Sequence, residues 1–279
     1  MTLVWLHGEV LDATGASVPV LDHGLTVGDG VFETLKVVRG GAFALGRHLA
    51  RLRRSASALG LDVPLSDDSF RAAAGELICA AAPEVRRAGK LRITVTAGPG
   101  PLGSARDDAP ATVVLAVAPL DPWPPTCDVV VVPWTRNERS ALAGVKSTSY
   151  AENVVALRHA RSAGAGEALF RNTAGALCEG TGSNVFLVRH GALLTPSLAT
   201  GCLAGITREL LVELLEVTER DDLTVEDLRG ADEVFLTSST RDVQGVGCVD
   251  GNRLAGAPGD VTAMASAALL ELQDRTLEP

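Results

Sequence analysis

The stretch PLDPWPP, Pro119 to Pro125, decides how this chain is organised: four of its seven positions are proline. Proline fixes φ and lacks a backbone N–H, so the stretch continues neither a helix nor a central strand. We read residues 119–127 as a linker between an N-terminal α/β domain, 1–118, and a C-terminal α/β domain, 128–279. The length of 279 residues agrees, since one domain per roughly 150 residues predicts about two.

Working towards the N-terminus, ATVVLAVA (Ala111–Ala118) and KLRITVTA (Lys90–Ala97) read as strands joined by a Gly/Pro/Asp-rich loop. Leu49, Leu52, Ala56 and Leu59 recur with helical spacing from about Arg47, and Gly60 stands where a helix stops. A second helix opens at Ser66, and Gly30–Val38 and Leu3–Val10 are strand-like. Towards the C-terminus come a strand at Asp128–Pro133, a helix near Ala151–Ala163, and short strands at Ala168–Phe170 and Asn184–Val188. A helix with Ile206, Leu210, Leu211 and Leu214 on one stripe follows, then the strand EVFLTSS (Glu233–Ser239) and a last helix near Val261. The expected fold class is α/β (α+β), two domains with mostly antiparallel pairing, and the cleft between them is the expected site.

Composition narrows the function classes. The chain is 46% hydrophobic and 21% charged, the mix of a folded protein. Its net charge of −9 repels a phosphate backbone, so nucleic acid is not the expected partner. Without a long uncharged apolar run or a basic leader, it reads as cytoplasmic, with no membrane partner. Cys79, Cys127, Cys178, Cys202 and Cys248 form no C-x-x-C pair. The histidines, His7, His23, His48, His159 and His190, lack metal-ligand spacing, so no metal is expected.

Lys146 stands in the apolar, turn-rich segment SALAGVKSTSY; it reads either as a strand-end lysine reaching solvent or as a partly buried amine that forms a Schiff base. Glu179, in LCEGTGSNVFLV, is either a turn carboxylate or the partner of a pyridinium nitrogen. Arg47, the helix start Gly205-Ile206-Thr207 and the hydroxyls Ser238, Ser239 and Thr240 have the chemistry of an anion site: a guanidinium, helix N-terminal N–H groups and hydroxyl donors. GPGPLG (Gly98–Gly103) satisfies G-x-G-x-x-G, but Pro99 and Pro101 sit inside it and no long helix follows, so a dinucleotide site is rejected.

Taken in chain order, DHGLTVGDGVFET, RHLARL, AGVKSTSYAENV, CEGTGSNVF, LAGITREL and DEVFLTSSTRDV resemble the fold-type IV, or class IV aminotransferase, family of pyridoxal-phosphate enzymes over residues 22–246. The resemblance implies a two-domain fold like that of the D-amino-acid aminotransferases, pyridoxal 5'-phosphate as cofactor, a small-molecule substrate and a homodimer. By the same resemblance, the Schiff-base lysine falls on Lys146 and the ring-nitrogen glutamate on Glu179. The phosphate cup falls on Arg47, Ile206, Thr207, Ser239 and Thr240, the phenolic-oxygen partner on Tyr150, and the residue packed on the ring on Leu203.

Within the family, Leu102 and Ser104 stand where bacillary D-amino-acid aminotransferases carry an Arg-x-His carboxylate trap. The segment RNERSALAGVK (Arg136–Lys146) is similar to the 4-amino-4-deoxychorismate lyases, although Ser149 replaces their asparagine. The resemblance thus implies a lyase that yields 4-aminobenzoate and pyruvate for folate synthesis, with a D-amino-acid or branched-chain aminotransferase as the alternative. Arg92, Arg106 and Arg136 are the expected partners of the substrate carboxylates.

Overall fold

The computed structural model describes residues 2–279 and contains two compact units. The first comprises Met1–Pro122, Val145–Tyr150 and Gln273–Pro279; the second comprises Trp123–Gly144 and Ala151–Leu272. The single cut expected at 119–127 therefore needs correction, because two later segments return to the first unit. Backbone pairing explains the first return: Ser147 bridges Val31 and Thr148 N donates to Gly30 O at 2.8 Å. Side chains explain the second, since Gln273 accepts from Lys36, and Glu278 from Arg71 and the Gly46 N–H.

The first unit holds β1 (Leu3–Leu6), β2 (Glu9–Asp12), α1 (His23–Thr26), β3 (Gly30–Val38) and β4 (Gly41–Ala42). After these come α2 (Leu45–Ala58), α3 (Asp67–Ala80), α4 (Pro83–Arg87), β5 (Ala88–Thr96) and β6 (Thr112–Pro119). The expected strand Leu3–Val10 is instead a hairpin, broken where His7 and Gly8 both take positive φ. Six strands pair antiparallel in the order β2-β1-β6-β5-β3-β4. Side chains alternate along β3, so Val31, Leu35 and Val37 are fully buried with Leu49, Leu52 and Leu77 of α2 and α3. The other face presents Phe32, with Arg92 and Thr94 of β5 beside it. Ser66 caps α3 through the Ser69 N–H, as its position before the apolar run predicts.

The second unit begins with β7 (Thr126–Arg136), α5 (Ala151–Ser162), β8 (Glu167–Asn172), β9 (Leu177–Gly180), β10 (Asn184–Arg189) and β11 (Ala192–Pro196). It continues with α6 (Ile206–Leu214), β12 (Val217–Arg220), α7 (Val225–Arg229), β13 (Glu233–Ser238), β14 (Asp242–Val249), β15 (Asn252–Arg253) and α8 (Asp260–Arg275), of which the last turn belongs to the first unit. Its strands run β12-β11-β10-β13-β14-β7-β8-β9, with β15 on β14. Pairing is mostly antiparallel, but β11–β12, β14–β7 and β7–β8 are parallel. Phe186 and Phe235 stack across β10 and β13 at 4.9 Å, and Ala156 and Ala160 of α5 pack on Ala168 and Phe170. No helix among the described residues is long and apolar enough to cross a membrane.

Candidate active site

In the first unit, residues 146–148 extend the sheet beyond β3. Phe32 N donates to Lys146 O at 3.0 Å, and Ser147 opposite Val31 turns into the core. Alternation then leaves Lys146 on the face of Phe32. Its amine lies 4.3 Å from the Phe32 ring centroid and 5.7 Å from that of Tyr150, whose ring meets Phe32 edge-on at 5.1 Å. Arg92 covers the same phenyl ring at 3.7 Å, and its Nε donates to Thr94 Oγ1 at 3.2 Å. Burial lowers the Arg92 pKa and the nearby Tyr150 opposes that shift. Lys146 is half-buried, with its amine on this aromatic wall.

Behind this wall, on the core face of β3, Glu33 is fully buried. It accepts two bonds from Arg51, at 2.8 and 2.6 Å, and pairs with His48 Nδ1 at 2.6 Å. Burial raises the Glu33 pKa, but the Arg51 guanidinium and the His48 ring outweigh it and hold it at about 2. Burial in turn pushes the His48 pKa down against the pull of Glu33. One turn further along α2, Ser55 Oγ accepts the Lys146 N–H at 3.2 Å. Arg47, on the same helix, donates from Nε to the Pro279 backbone oxygen at 3.0 Å.

In the second unit, Glu179 on β9 is held from two sides. Its Oε2 accepts the Leu203 N–H at 2.9 Å, and its Oε1 lies 3.0 Å from Arg136 Nε. Asn184 Nδ2 donates to Leu203 O at 2.9 Å, and Asn184 is register partner to Thr237 at the end of β13. No side chain caps α6 at Gly205, and the buried Thr207 brings a hydroxyl to the same first turn as the helix's N-terminal N–H groups. A Cβ on Gly205 would meet Asn184 Oδ1 at 2.0 Å, so this helix start lies directly against the strand end that Thr237 pairs with. Ser239 and Thr240 follow in the turn after β13. Glu179, Leu203, the uncapped helix start and the hydroxyl turn thus gather at one edge of this sheet. Thr237 Oγ1 is buried at that edge without a hydrogen-bond partner among the described residues. A cavity of about 350 Å³ elsewhere in this unit, lined by Val131, Pro133, Arg171 and Arg229 among others, contains none of these groups.

The sequence matches the class IV amino-transferase family model over residues 30–248. The chain belongs to the class IV aminotransferase family. It is 34% identical over 261 residues to a Methanocaldococcus jannaschii protein provisionally named a branched-chain-amino-acid aminotransferase, covering 89% of this chain and 88% of the relative. It is 31% identical over 273 residues to the D-alanine aminotransferase of Bacillus licheniformis, covering 95% of both. A solved Legionella pneumophila structure, provisionally named 4-amino-4-deoxychorismate lyase, superposes with a TM-score of 0.85 at 27% identity, over 93% of this chain and 97% of that one. The protein is therefore an enzyme of a pyridoxal-phosphate-dependent family, with the fold-type IV architecture.

Class IV membership sharpens the reading of each candidate residue. Lys146, Tyr150 and Arg92 lie together in the first unit; Glu179, Leu203, Ile206, Thr207, Ser239 and Thr240 gather at one sheet edge of the second. The first set contains an amine on an aromatic wall; the second contains a carboxylate with a fixed orientation, a helix start and hydroxyl groups. Two substrate candidates need correction. Arg106 donates to both Asp29 oxygens at 2.6 Å and to the carbonyls of Gly60 and Leu59, which leaves its guanidinium committed. That bond raises the Arg106 pKa and lowers that of Asp29. Arg136 donates to Glu152 at 2.5 Å and Asn153 at 2.7 Å besides pairing with Glu179. It orients Glu179; its donors are not free for a substrate. Sequence reasoning missed Phe32, the Glu33–His48–Arg51 cluster and Asn184. The segments DHGLTVGDGVFET and CEGTGSNVF contain Phe32, Glu33 and Asn184, but nothing in either marks which residue faces which way.

Proposed function

We propose that this enzyme is an aminotransferase that moves the amino group of an aliphatic, branched-chain-type amino acid to a 2-oxo acid. One observation carries the choice. Of the three arginines nominated for substrate carboxylates, Arg92 alone has terminal nitrogens with no partner among the described residues, and it lies on the Phe32 ring beside Lys146 and Tyr150. One cation on an aromatic wall suits a monocarboxylate with an apolar side chain, and the relatives named as aminotransferases agree. In this reading, Lys146 Nζ tethers the cofactor and moves the proton at the substrate's α-carbon. Glu179, held in place by Arg136 and the Leu203 N–H, would accept a hydrogen bond from the protonated ring nitrogen. Thr207, Ser239, Thr240 and the first N–H groups of α6 take the phosphate, with Arg47 as a further donor, and Leu203 packs on the ring. The cofactor supplies the electron sink and carries the amino group between substrates. A homodimer is part of the proposal.

The second reading, an aminodeoxychorismate lyase, is favoured by the RNERSALAGVK segment and by the Legionella neighbour. It asks for more cationic partners than Arg92 supplies. Purified enzyme is to be assayed with L-leucine, L-valine, L-isoleucine and D-alanine plus 2-oxoglutarate, and separately with aminodeoxychorismate and no oxo acid. Turnover of the aliphatic donors is the expected result. Repeated release of 4-aminobenzoate and pyruvate without an oxo acid, and no transamination, would overturn the proposal in favour of the lyase.

A further inference from the structure

The second unit contains a buried carboxylate to which the reaction assigns nothing. Glu167, the first residue of β8, is 1% exposed. Its Oε1 accepts the N–H groups of Ala168 and Thr181 at 3.0 and 3.1 Å and the Thr181 hydroxyl at 2.5 Å. Its Oε2 accepts Ser183 Oγ at 3.1 Å and Arg241 Nη2 at 3.0 Å. An unpaired carboxylate at this depth is costly, and these five donors offset the cost. Apart from the adjacent Ala168 N–H, they come from two segments far apart in sequence. Thr181 and Ser183 form the turn that follows Glu179, while Arg241 closes the turn that carries Ser239 and Thr240.

Each turn is specialised for this meeting. A Cβ on Gly180 would fall 2.3 Å from Ser183 Oγ and 3.3 Å from Glu167 Cδ, so only glycine leaves the serine free to reach the carboxylate. Arg241 is held along its length: its N–H donates to Ser238 Oγ at 3.2 Å, and Nη1 to Gln244 Oε1 at 2.8 Å. Its guanidinium also lies 4.4 Å from the Trp123 ring. The backbone of residues 238–241 is thereby fixed by an arginine whose charge terminates on Glu167.

We propose that Glu167 is a positioning residue: through Thr181 and Ser183 it sets the Glu179 turn, and through Arg241 it sets the Ser239–Thr240 turn. The ring-nitrogen carboxylate and the phosphate donors are then presented in one fixed arrangement. This rests on the proposed assignment of Glu179 to the ring and of Ser239 and Thr240 to the phosphate.

The test measures dissociation constants of pyridoxal 5'-phosphate and of pyridoxal, which lacks the phosphate, with the cofactor-stripped full chain. Glu167→Gln, which keeps the volume but aims an amide N–H at one set of donors, is expected to weaken both ligands at least tenfold. Arg241→Met is expected to weaken pyridoxal 5'-phosphate about tenfold and pyridoxal less than twofold, with partial recovery in Arg241→Lys. A purely structural role predicts a lower Tm with equal factors for the two ligands in Arg241→Met, or unchanged constants; either overturns the proposal, and Arg241→Met decides even if Glu167→Gln fails to fold. Ser239→Ala with Thr240→Ala checks the underlying assignment by itself. If that variant binds both ligands like the wild type, the phosphate reading falls, whereas a phosphate-specific loss there without one in Arg241→Met refutes only the role of Glu167.

Discussion

Replacing Glu33 by glutamine tests whether the ionic cluster beneath the Lys146 face sustains the fold. The carboxylate is fully buried and its pKa stands at about 2 against an ordinary 4.5, because Arg51 and His48 overcome the burial that pushes it up. A carboxylate depressed in the folded state contributes its stability above the unfolded pKa and loses it as pH falls towards the folded one. That shift corresponds to about 3 kcal/mol at pH 7 and about 2 kcal/mol at pH 3.5, vanishing below pH about 2. The figure agrees with the roughly 3–5 kcal/mol lost when one partner of a buried pair is removed. Urea unfolding of wild type and Glu33→Gln at pH 7, 5, 4 and 3.5 reads the difference directly. We expect about 3 kcal/mol, flat from pH 7 to 5 and narrowing below 4.5, since protonated glutamate and glutamine differ little in shape. A difference below 1 kcal/mol at pH 7, or one that is unchanged at pH 3.5, would refute the reasoning.

Two further outcomes follow from the site geometry. Arg92→Ala is expected to raise KM for the amino acid with a smaller effect on kcat, a loss of about 1.5–3 kcal/mol or roughly 10- to 150-fold in kcat/KM, while Arg106→Ala leaves KM within twofold because its donors serve Asp29; steady-state kinetics with one donor ranks the pair, and a larger KM effect at Arg106 sinks the assignment. Gly205→Ala would place a Cβ 2.0 Å from Asn184 Oδ1 and break the Asn184–Leu203 bond, so a stability loss of about 1–3 kcal/mol by thermal unfolding, with weaker cofactor binding, is expected, and an unchanged Tm and affinity would show that the strand end yields freely.

What the sequence displays and what it conceals divides along one physical line. Such signals are local, so α2 and α6 are legible from residue spacing, β3, β5 and β6 from their strand-like runs, and the start of α3 from Ser66. Lys146 and Glu179 stood out because a charge interrupts an apolar or glycine-rich context. Partnership is not local. Arg106 and Arg136 look like free cations in the sequence because Asp29 lies 77 positions from one and Glu179 lies far downstream of the other. The return of residues 145–150 to the first sheet was equally hidden, because a three-residue pairing with β3 leaves no periodic trace. The hairpin break at His7 and Gly8 depends on backbone conformation in a segment whose apolar residues read as one strand.

Strand β3 shows why the fold and the chemistry depend on each other. Its residues alternate, so Phe32 faces Lys146 and Arg92 while its neighbour Glu33 faces α2 from the opposite side of the sheet. Arg51 and His48 bind that carboxylate from successive turns of α2, and Ser55, the next residue on the same stripe, receives the Lys146 N–H. Lys146 is therefore attached to β3 through its backbone carbonyl and to α2 through its backbone N–H, and the Glu33 cluster fixes those two elements to each other. A one-residue slip of β3 would expose the carboxylate and bury the aromatic wall, losing about 3 kcal/mol of ionic stabilisation together with the surface that holds Lys146. Register on this strand is thus enforced by the core and used by the site, which is why a charged residue belongs at the centre of an otherwise apolar face.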